Sequence, residues 1–515
     1  MEVKFEHGKR KVLRVIFGRT VLLFASLLIQ LGILMFFMVC LSEYLKYYYW
    51  VSVAISVLML IFILNGDDNP AYKLAWGIPV ALFSVFGVLF YLFVHIQPHR
   101  KMIDHRLSVV CNDTKEYMHQ DQETMESLRQ DDPQIARLVQ YMNTEGPFPI
   151  CANSDVKFYP VGEIWYQDML KRLKDAKEFI FIEFFIVNFG KMWDEVFEIL
   201  KEKAKEGVEI RFMYDGTCTF FRLPHDFPRF LEENGIKCRI FSPIRPALST
   251  YQNNRDHRKI VVIDGTYAYT GGVNLADEYI NEIERFGHWK DTAVELTGEV
   301  VDRFTVLFLQ NWNLYNKNTE DISGYIRKNS VASEGYVMAY TDSPFDHEQI
   351  GENVYLDILN TATDYVHIMS PYLILDDNMI SAMSYAVKRG VDVKIIMPHI
   401  TDKPYAYILA RNYYETLIKK GVRIFEYTPG FIHAKEFISD DKEAVVGSIN
   451  LDYRSLYLNF ECAAYMYHVA AVGAAETDFQ ETLQKCEEIT LEDCKNYSKL
   501  KRLLGKVMWL FSPLM

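Results

Sequence analysis

Cysteine is scarce, with eight in 515 residues, and no two of them form a C-x-x-C pair. No cysteine stands at zinc-site spacing from a histidine either. A disulfide framework and a zinc module are therefore set aside, and free thiols in a reducing setting are expected. An excess of positive charge is also missing. The net charge is −13, which argues against a general nucleic-acid binder, because neutralising phosphates takes clustered Lys and Arg. Apolar residues are plentiful: 50% of the chain is hydrophobic and 14% aromatic, too much for a disordered polymer. At this length more than one domain is expected.

The charge is unevenly spread. The first 110 residues hold 11 Lys and Arg against 6 Asp and Glu, so the rest of the chain carries −18. Three apolar runs lie in that basic start, at about 20–41, 47–64 and 74–96. Each approaches the roughly 20 residues that cross a hydrocarbon core of roughly 30 Å. Tyr47, Tyr48, Tyr49, Trp50 and Trp76 stand at run edges, where amphipathic rings favour the headgroup layer. The first run is too long for a signal peptide and has no small-residue cleavage site. Residues 1–96 therefore read as a multi-pass membrane anchor. Orientation stays open. Lys4, Lys9, Arg10, Lys11 and Arg14 favour a cytoplasmic start, and so do Arg100, Lys101, Arg106 and Lys115 after the third run. Three full crossings cannot satisfy both groups; a hairpin of the second and third runs with an interfacial first run can.

Residues 97–150 read as a polar connector with a helix near 121–141 and a break at 146–149. From about 151, apolar β runs alternate with helical stretches, the pattern of an α/β domain. FIFIEFFIV at 179–187 is a buried strand, Gly207 ends the next helix, and another strand starts at Val208. This order then recurs. GEIWYQDMLKRLKD at 162–175 aligns with GENVYLDILNTATD at 351–364, and KEGVEIRFM at 205–213 with KRGVDVKII at 388–396. The expected architecture is one α/β unit occurring twice, at 151–330 and 331–515, related by a pseudo-two-fold axis.

Each copy carries H-x-K-x4-D: His257, Lys259 and Asp264, then His433, Lys435 and Asp440. Each motif is followed by a Gly 14 residues after its His (Gly271, Gly447) and an Asn 17 residues after it (Asn274, Asn450). Two such sets arise by chance in well under roughly one chain in a thousand. His and Lys, two apart at the start of a β run, project from the same face. The Asp, seven beyond the His, falls on the other face and is expected to support the site, in an ion pair beneath it. Together the halves offer two imidazoles, two ammonium groups and two carboxamides, which suits a phosphodiester. One neutral His attacks phosphorus, the other protonates the leaving alkoxide, and Lys and Asn carry the charge on the equatorial oxygens. No metal and no cofactor is called for. A nucleophilic His works better with a carboxylate on its second nitrogen. Asp291 and Glu461, in comparable strand contexts after the two motifs, are candidates, with a simple seam carboxylate as the alternative for each.

The duplicated motif with its following G-x-x-N resembles the phospholipase D superfamily. Within it, NPAYKLAW, IEFFIV, DHRKIVVIDG with YTGGVNLAD, and LDYRSLYLNFE resemble the bacterial cardiolipin synthases. The resemblance runs from about residue 45 to the C-terminus, and the first apolar run is an addition to the commonest two-helix form. It implies a membrane-bound enzyme that transfers a phosphatidyl group from one phosphatidylglycerol to another through a phosphohistidine. His257 would be the nucleophile, His433 the general acid and base, and the products cardiolipin and glycerol. Asp256 stands where Asn is common in the family, and Gly272 where Ser is common. A phosphodiesterase that hydrolyses lipid or nucleic acid, and a non-catalytic lipid-binding scaffold, are the alternatives. The −18 balance and the apolar runs weigh against nucleic acid, and two intact motifs weigh against the scaffold. LKRLLGKVMWLFSPLM at 500–515 reads either as a helix on an anionic bilayer or as a terminal helix packed on its domain. Tyr251 reads as a half-buried tyrosine or part of a lipid entrance, and His288 and His468 as non-catalytic.

Overall fold

The computed structural model describes residues 45–66, 69–95, 98–243, 253–345 and 348–514, with seven further positions between 28 and 36. Most of the first apolar run, and Tyr251, lie outside the described residues. Two compact units emerge: one of membrane-type helices, the other holding residues 102–243 and 254–509.

In the first unit, Leu45–Leu64 is an unbroken helix of 20 residues, about 30 Å long. The apolar stretch Pro70–His95 has enough length to cross as well, but it does not run straight. Phe83 (φ −116°, ψ 19°) and Ser84 (φ 33°, ψ −109°) break the helical path. The ring centroids of Trp76 and Tyr91 lie 5.5 Å apart. An unbroken helix would separate those residues by about 22 Å. A Cβ on Gly87 would meet the Pro79 carbonyl oxygen at 2.5 Å, so only glycine permits this approach of the two arms. The third run is therefore a helical hairpin whose arms, at about 20 and 16 Å, fall short of a roughly 30 Å core. Trp76, Val80, Val88 and Tyr91 pack with Ile63 between the helices, while Leu74, Leu82, Leu89 and Phe93 face outward.

The stretch 98–145 is helical throughout most of its length, in Pro98–Asp113, Gln122–Asp131 and Pro133–Glu145. The helix expected near 121–141 is split because Pro133 has no N–H to continue a ladder. Asp132 caps the second piece by accepting from Gln134 N and Ile135 N.

The duplicated pattern becomes two sheets of the same strand order. The first runs Ser154–Tyr159, Ala293–Gly298, Tyr267–Gly271, Lys259–Ile263, Phe179–Phe184, Glu209–Asp215, Lys237–Phe241. The second repeats it as Tyr336–Asp342, Glu461–Tyr467, Glu443–Gly447, Glu436–Ser439, Tyr365–Met369, Asp392–Pro398, Arg423–Tyr427, with edge strands Ile150–Cys151 and Cys486–Ile489 added. In each, the last three strands of the repeated order are parallel and the others antiparallel. Helices cover the faces. Lys191–Lys205 buries Trp193, Val196, Phe197 and Leu200 at helical spacing and turns its lysines and glutamates out. Gly207, at φ 92°, ends it in a left-handed turn that a side chain would strain. Glu299–Asn313 is buried on nearly every side, its Phe308 stacked on Phe181 with centroids 4.9 Å apart.

Two short backbone pairings join the halves. Gly430–Ile432 lies parallel to His288–Lys290, and Asp256 bridges Phe460. These are pseudo-equivalent positions, and each lies one residue before a motif histidine or a candidate carboxylate.

Candidate active site

The seam pairings fix the histidines before any side chain is considered. His257 N donates to Phe460 O at 2.8 Å, and His433 N donates to Lys290 O at 2.7 Å. The residue after Phe460 is Glu461, and the residue after Lys290 is Asp291. Each histidine is thus set against the acid of the other half. His257 Nδ1 lies 2.8 Å from Glu461 Oε2, and His433 Nδ1 lies 2.6 Å from Asp291 Oδ2. All four side chains are buried.

The two acids differ in what else holds them. Glu461 accepts from Ser448 Oγ, from Ser455 Oγ at 2.8 Å and from Asn459 Nδ2 at 3.3 Å. Burial pushes its pKa up, but His257, Lys259 and Ser448 together outweigh it, and the carboxyl sits below its ordinary value. Asp291 takes the N–H of Thr292 at 3.0 Å. Gly272 stands where its counterpart Ser448 supplies a hydroxyl. A Cβ there would meet Asp291 Oδ1 at 2.0 Å. Burial prevails at Asp291 and pushes it up to about 7. His257 is pushed down to about 4, by burial first, with Lys259 adding to it and Glu461 opposing. His433 is pushed well below its ordinary value by burial, then by Lys435, Lys259 and His257. These mutual effects bring both imidazoles and both lysines within electrostatic reach of one another.

Lys259 and Lys435 are buried, and each ammonium group donates to the carbonyl of its own motif histidine. Lys435 Nζ also lies 2.9 Å from His433 Nδ1. Burial lowers Lys259 to about 8 and Lys435 to about 7. Two desolvated cations this close are electrostatically costly even with Glu461 and Asp291 acting on them. An anion between them would relieve that cost.

The motif aspartates sit elsewhere. Asp264 (φ 53°) and Asp440 (φ 56°) occupy the turns at the far ends of the motif strands. Asp264 accepts from the N–H groups of Lys177, Glu178 and Phe179 at 2.8–2.9 Å. Asp440 does the same with Thr363, Asp364 and Tyr365 at 2.7–3.0 Å. Among the described residues their partners are backbone amides, with the Thr363 hydroxyl added for Asp440, not the cation of an ion pair, and each lies seven positions after its histidine, past the motif strand. Their support is to pin the motif hairpin to the start of the neighbouring central strand. Asn274 is also engaged: its Oδ1 takes Ile186 N at 2.9 Å and its Nδ2 donates to Tyr279 OH at 2.8 Å. Asn450 Nδ2 donates to Ser455 Oγ at 3.1 Å. His288 meets Tyr427 OH, and His468 lies 3.9 Å from Asp131, both away from the paired histidines.

Several site residues escape a motif search. Phe185 stands edge-on to His257 at 4.9 Å, and Tyr279 and Trp289 each lie 5.3 Å from His433. Behind His257, Asp256 and Glu183 share Arg258 at 3.1 and 3.0 Å, and Asn311 donates to both. Asp256, where Asn is common in the family, is thus one member of a buried charge network. The signal for Ser448 was present: it lies 15 residues after the motif His, as Gly272 does in the other copy.

A sequence profile described as "Cardiolipin synthase, PLD-like domain" matches residues 169–312 and again 355–483. The chain belongs to the cardiolipin synthase family of phospholipase D-like proteins. A second profile, "Phospholipase_D-nuclease N-terminal", matches residues 54–94, the region of the membrane-type helices. The chain is 32% identical to a cardiolipin synthase of Alkalihalophilus pseudofirmus, over 96% of this chain and 98% of that protein. It is 31% identical to cardiolipin synthase 2 of Bacillus anthracis, over 87% and 88%. The fold also matches a phosphatidylserine synthase of Haemophilus influenzae at a TM-score of 0.58 and 14% identity, covering 73% of this chain and 99% of that one.

Proposed function

We propose that the protein is a cardiolipin synthase that moves a phosphatidyl group from one phosphatidylglycerol to another. The observation that carries this reading is the reciprocal pairing of His257 with Glu461 and of His433 with Asp291 around two buried lysines. An ionised Glu461 holds the proton of His257 on Nδ1 and leaves the Nε2 lone pair free. His257 Nε2 attacks phosphorus while the bond from phosphorus to the headgroup glycerol oxygen breaks. The proton shared by the His433–Asp291 pair passes through His433 to that oxygen, and glycerol leaves. Lys259 and Lys435 carry the charge that builds on the non-bridging oxygens. The terminal hydroxyl of a second phosphatidylglycerol then loses its proton to His433, attacks phosphorus and breaks the P–N bond, giving cardiolipin. No step draws on a cofactor. Phe185, Tyr279 and Trp289 wall the histidines in apolar surface, which favours a lipid alcohol over water at the second step.

The same reading gives the chain a place in the cell membrane. Leu45–Leu64 crosses once. The hairpin at Pro70–His95 enters and leaves on one face. The basic residues Arg100 to Arg106 that follow the hairpin favour the cytoplasmic side.

The test is to incubate the detergent-solubilised protein with phosphatidylglycerol alone and follow both lipid and glycerol. Cardiolipin and glycerol appearing one for one establishes the transferase. Phosphatidic acid and glycerol without cardiolipin makes the protein a hydrolase, and no turnover by folded protein overturns the reading.

A further inference from the structure

The helix Lys499–Trp509 has an apolar stripe that the catalytic unit leaves uncovered. Its inward side is set by Gly505, where a Cβ would meet Asn412 Nδ2 at 2.0 Å and Ile408 O at 3.0 Å. Arg502 adds an ion pair to Glu415 at 3.0 Å. Leu500, Leu503, Leu504 and Val507 recur at i, i+3, i+4 and i+7, which places them on one stripe turned away from Gly505. They are 76%, 62%, 47% and 50% exposed. Terminal helices normally bury such a stripe.

We propose that this helix lies in the surface of an anionic phospholipid bilayer, with that stripe pressed among the acyl chains. Two features select a bilayer as the occupant. The helix carries Lys499, Lys501, Arg502 and Lys506 and no acidic residue, although residues beyond 110 carry −18 overall. A local cationic, apolar helix on an acidic protein is complementary to anionic headgroups over acyl chains. Finally, Ser512–Leu514, two residues past Leu510, packs against Pro70–His95, so the chain end belongs to the membrane-type helices. The inference rests on the membrane reading above and adds a second bilayer contact, made by the catalytic unit itself. Phosphatidylglycerol, the proposed substrate, is an anionic lipid that this contact would gather.

The test uses the full chain in vesicles of phosphatidylglycerol and phosphatidylethanolamine, with radiolabelled phospholipid and a photoreactive benzoylphenylalanine in place of Leu503. Irradiation is expected to move lipid label onto the chain. The same group in place of exposed Glu198 should capture almost none. Cross-links between two chains would make the stripe a dimer seam, and no product of either kind would leave it in water; either result overturns the proposal. Capture needs no turnover, so its failure is separate from failure of the catalytic reading. A second arm compares Leu503→Glu and the pair Lys499→Gln/Lys506→Gln. The KM for vesicle phosphatidylglycerol should rise on the order of fivefold for each basic residue removed, at low salt, while turnover of dispersed short-chain substrate is unchanged. An unchanged vesicle KM in both variants overturns the proposal as well.

Discussion

His257 Nδ1 lies 2.8 Å from Oε2 of Glu461, a residue 204 positions away in the other repeat. The mirror contact, His433 to Asp291, spans 142 positions. Neither repeat therefore contains a complete acid–histidine pair, and the seam is where both are assembled. The backbone bonds from His257 N to Phe460 O and from His433 N to Lys290 O set the register. Slipping that seam would separate both pairs at once.

The Glu461 contact makes the first prediction. Glu461→Gln keeps the shape but no longer holds the Nδ1 proton. Its kcat for cardiolipin formation should fall on the order of 10²–10⁴-fold, with KM nearly unchanged. His257→Ala and His433→Ala should each abolish transfer. A Glu461→Gln enzyme within threefold of the parent would remove the orienting role.

Asp264 and Asp440 belong to a different class of effect. Each carboxylate accepts three backbone N–H groups far from the histidines, and charge-assisted bonds of this kind contribute about 1.5–3 kcal/mol each at most. Asp264→Ala and Asp440→Ala should lower the melting midpoint in detergent by several degrees, while kcat per folded molecule stays within about threefold. A large loss of kcat with an unchanged melting curve would show that the aspartates act on the chemistry directly.

What the sequence showed and hid follows from the range of each interaction. The motif pairs His257–Lys259 and His433–Lys435 were legible because strand periodicity ties two residues to one face. Duplication was legible because strand, helix and Gly recur together, as at Gly207 and Gly390. The acid partners could be named only as candidates, since no local pattern says which histidine meets Glu461. An ion pair was expected for Asp264, yet turn geometry offers three amides within one chain crossing. The hairpin at Pro70–His95 was invisible for another reason: hydropathy is blind to the fold-back at Phe83–Ser84, and the signal lay in Gly87 against Pro79.

Proton uptake should accompany ligand binding. Lys435 and Lys259 sit at about 7 and 8 in the empty pocket, and an anion between them restores both toward their ordinary value of 10.5. At pH 8, binding of short-chain phosphatidylglycerol to His257→Ala protein should therefore take up roughly one to one and a half protons. Calorimetry in buffers of different ionisation enthalpy measures this. Adding Lys435→Arg, which stays charged, should reduce the uptake by about one proton, and an uptake that is already zero in the parent would show the lysines to be charged before the anion arrives.

Ser448 tests the asymmetry between the two acids. Its hydroxyl donates to Glu461 Oε2, the same oxygen that faces His257, and helps to hold the carboxyl below its ordinary value. Ser448→Ala removes a bond that favours the charged form, together with the Oγ contacts to Cys462 N and O, so the proton affinity of the His257–Glu461 pair must rise. Because activity needs the deprotonated pair, the acidic limb of the kcat–pH profile should move upward, by about one unit for a loss near 1.4 kcal/mol. The alkaline limb, which depends on His433 and Asp291, should stay in place. Gly272, the counterpart on the Asp291 side, has no hydroxyl to lose. A limb that does not move in Ser448→Ala would mean that burial and Lys259 alone set the charge of Glu461.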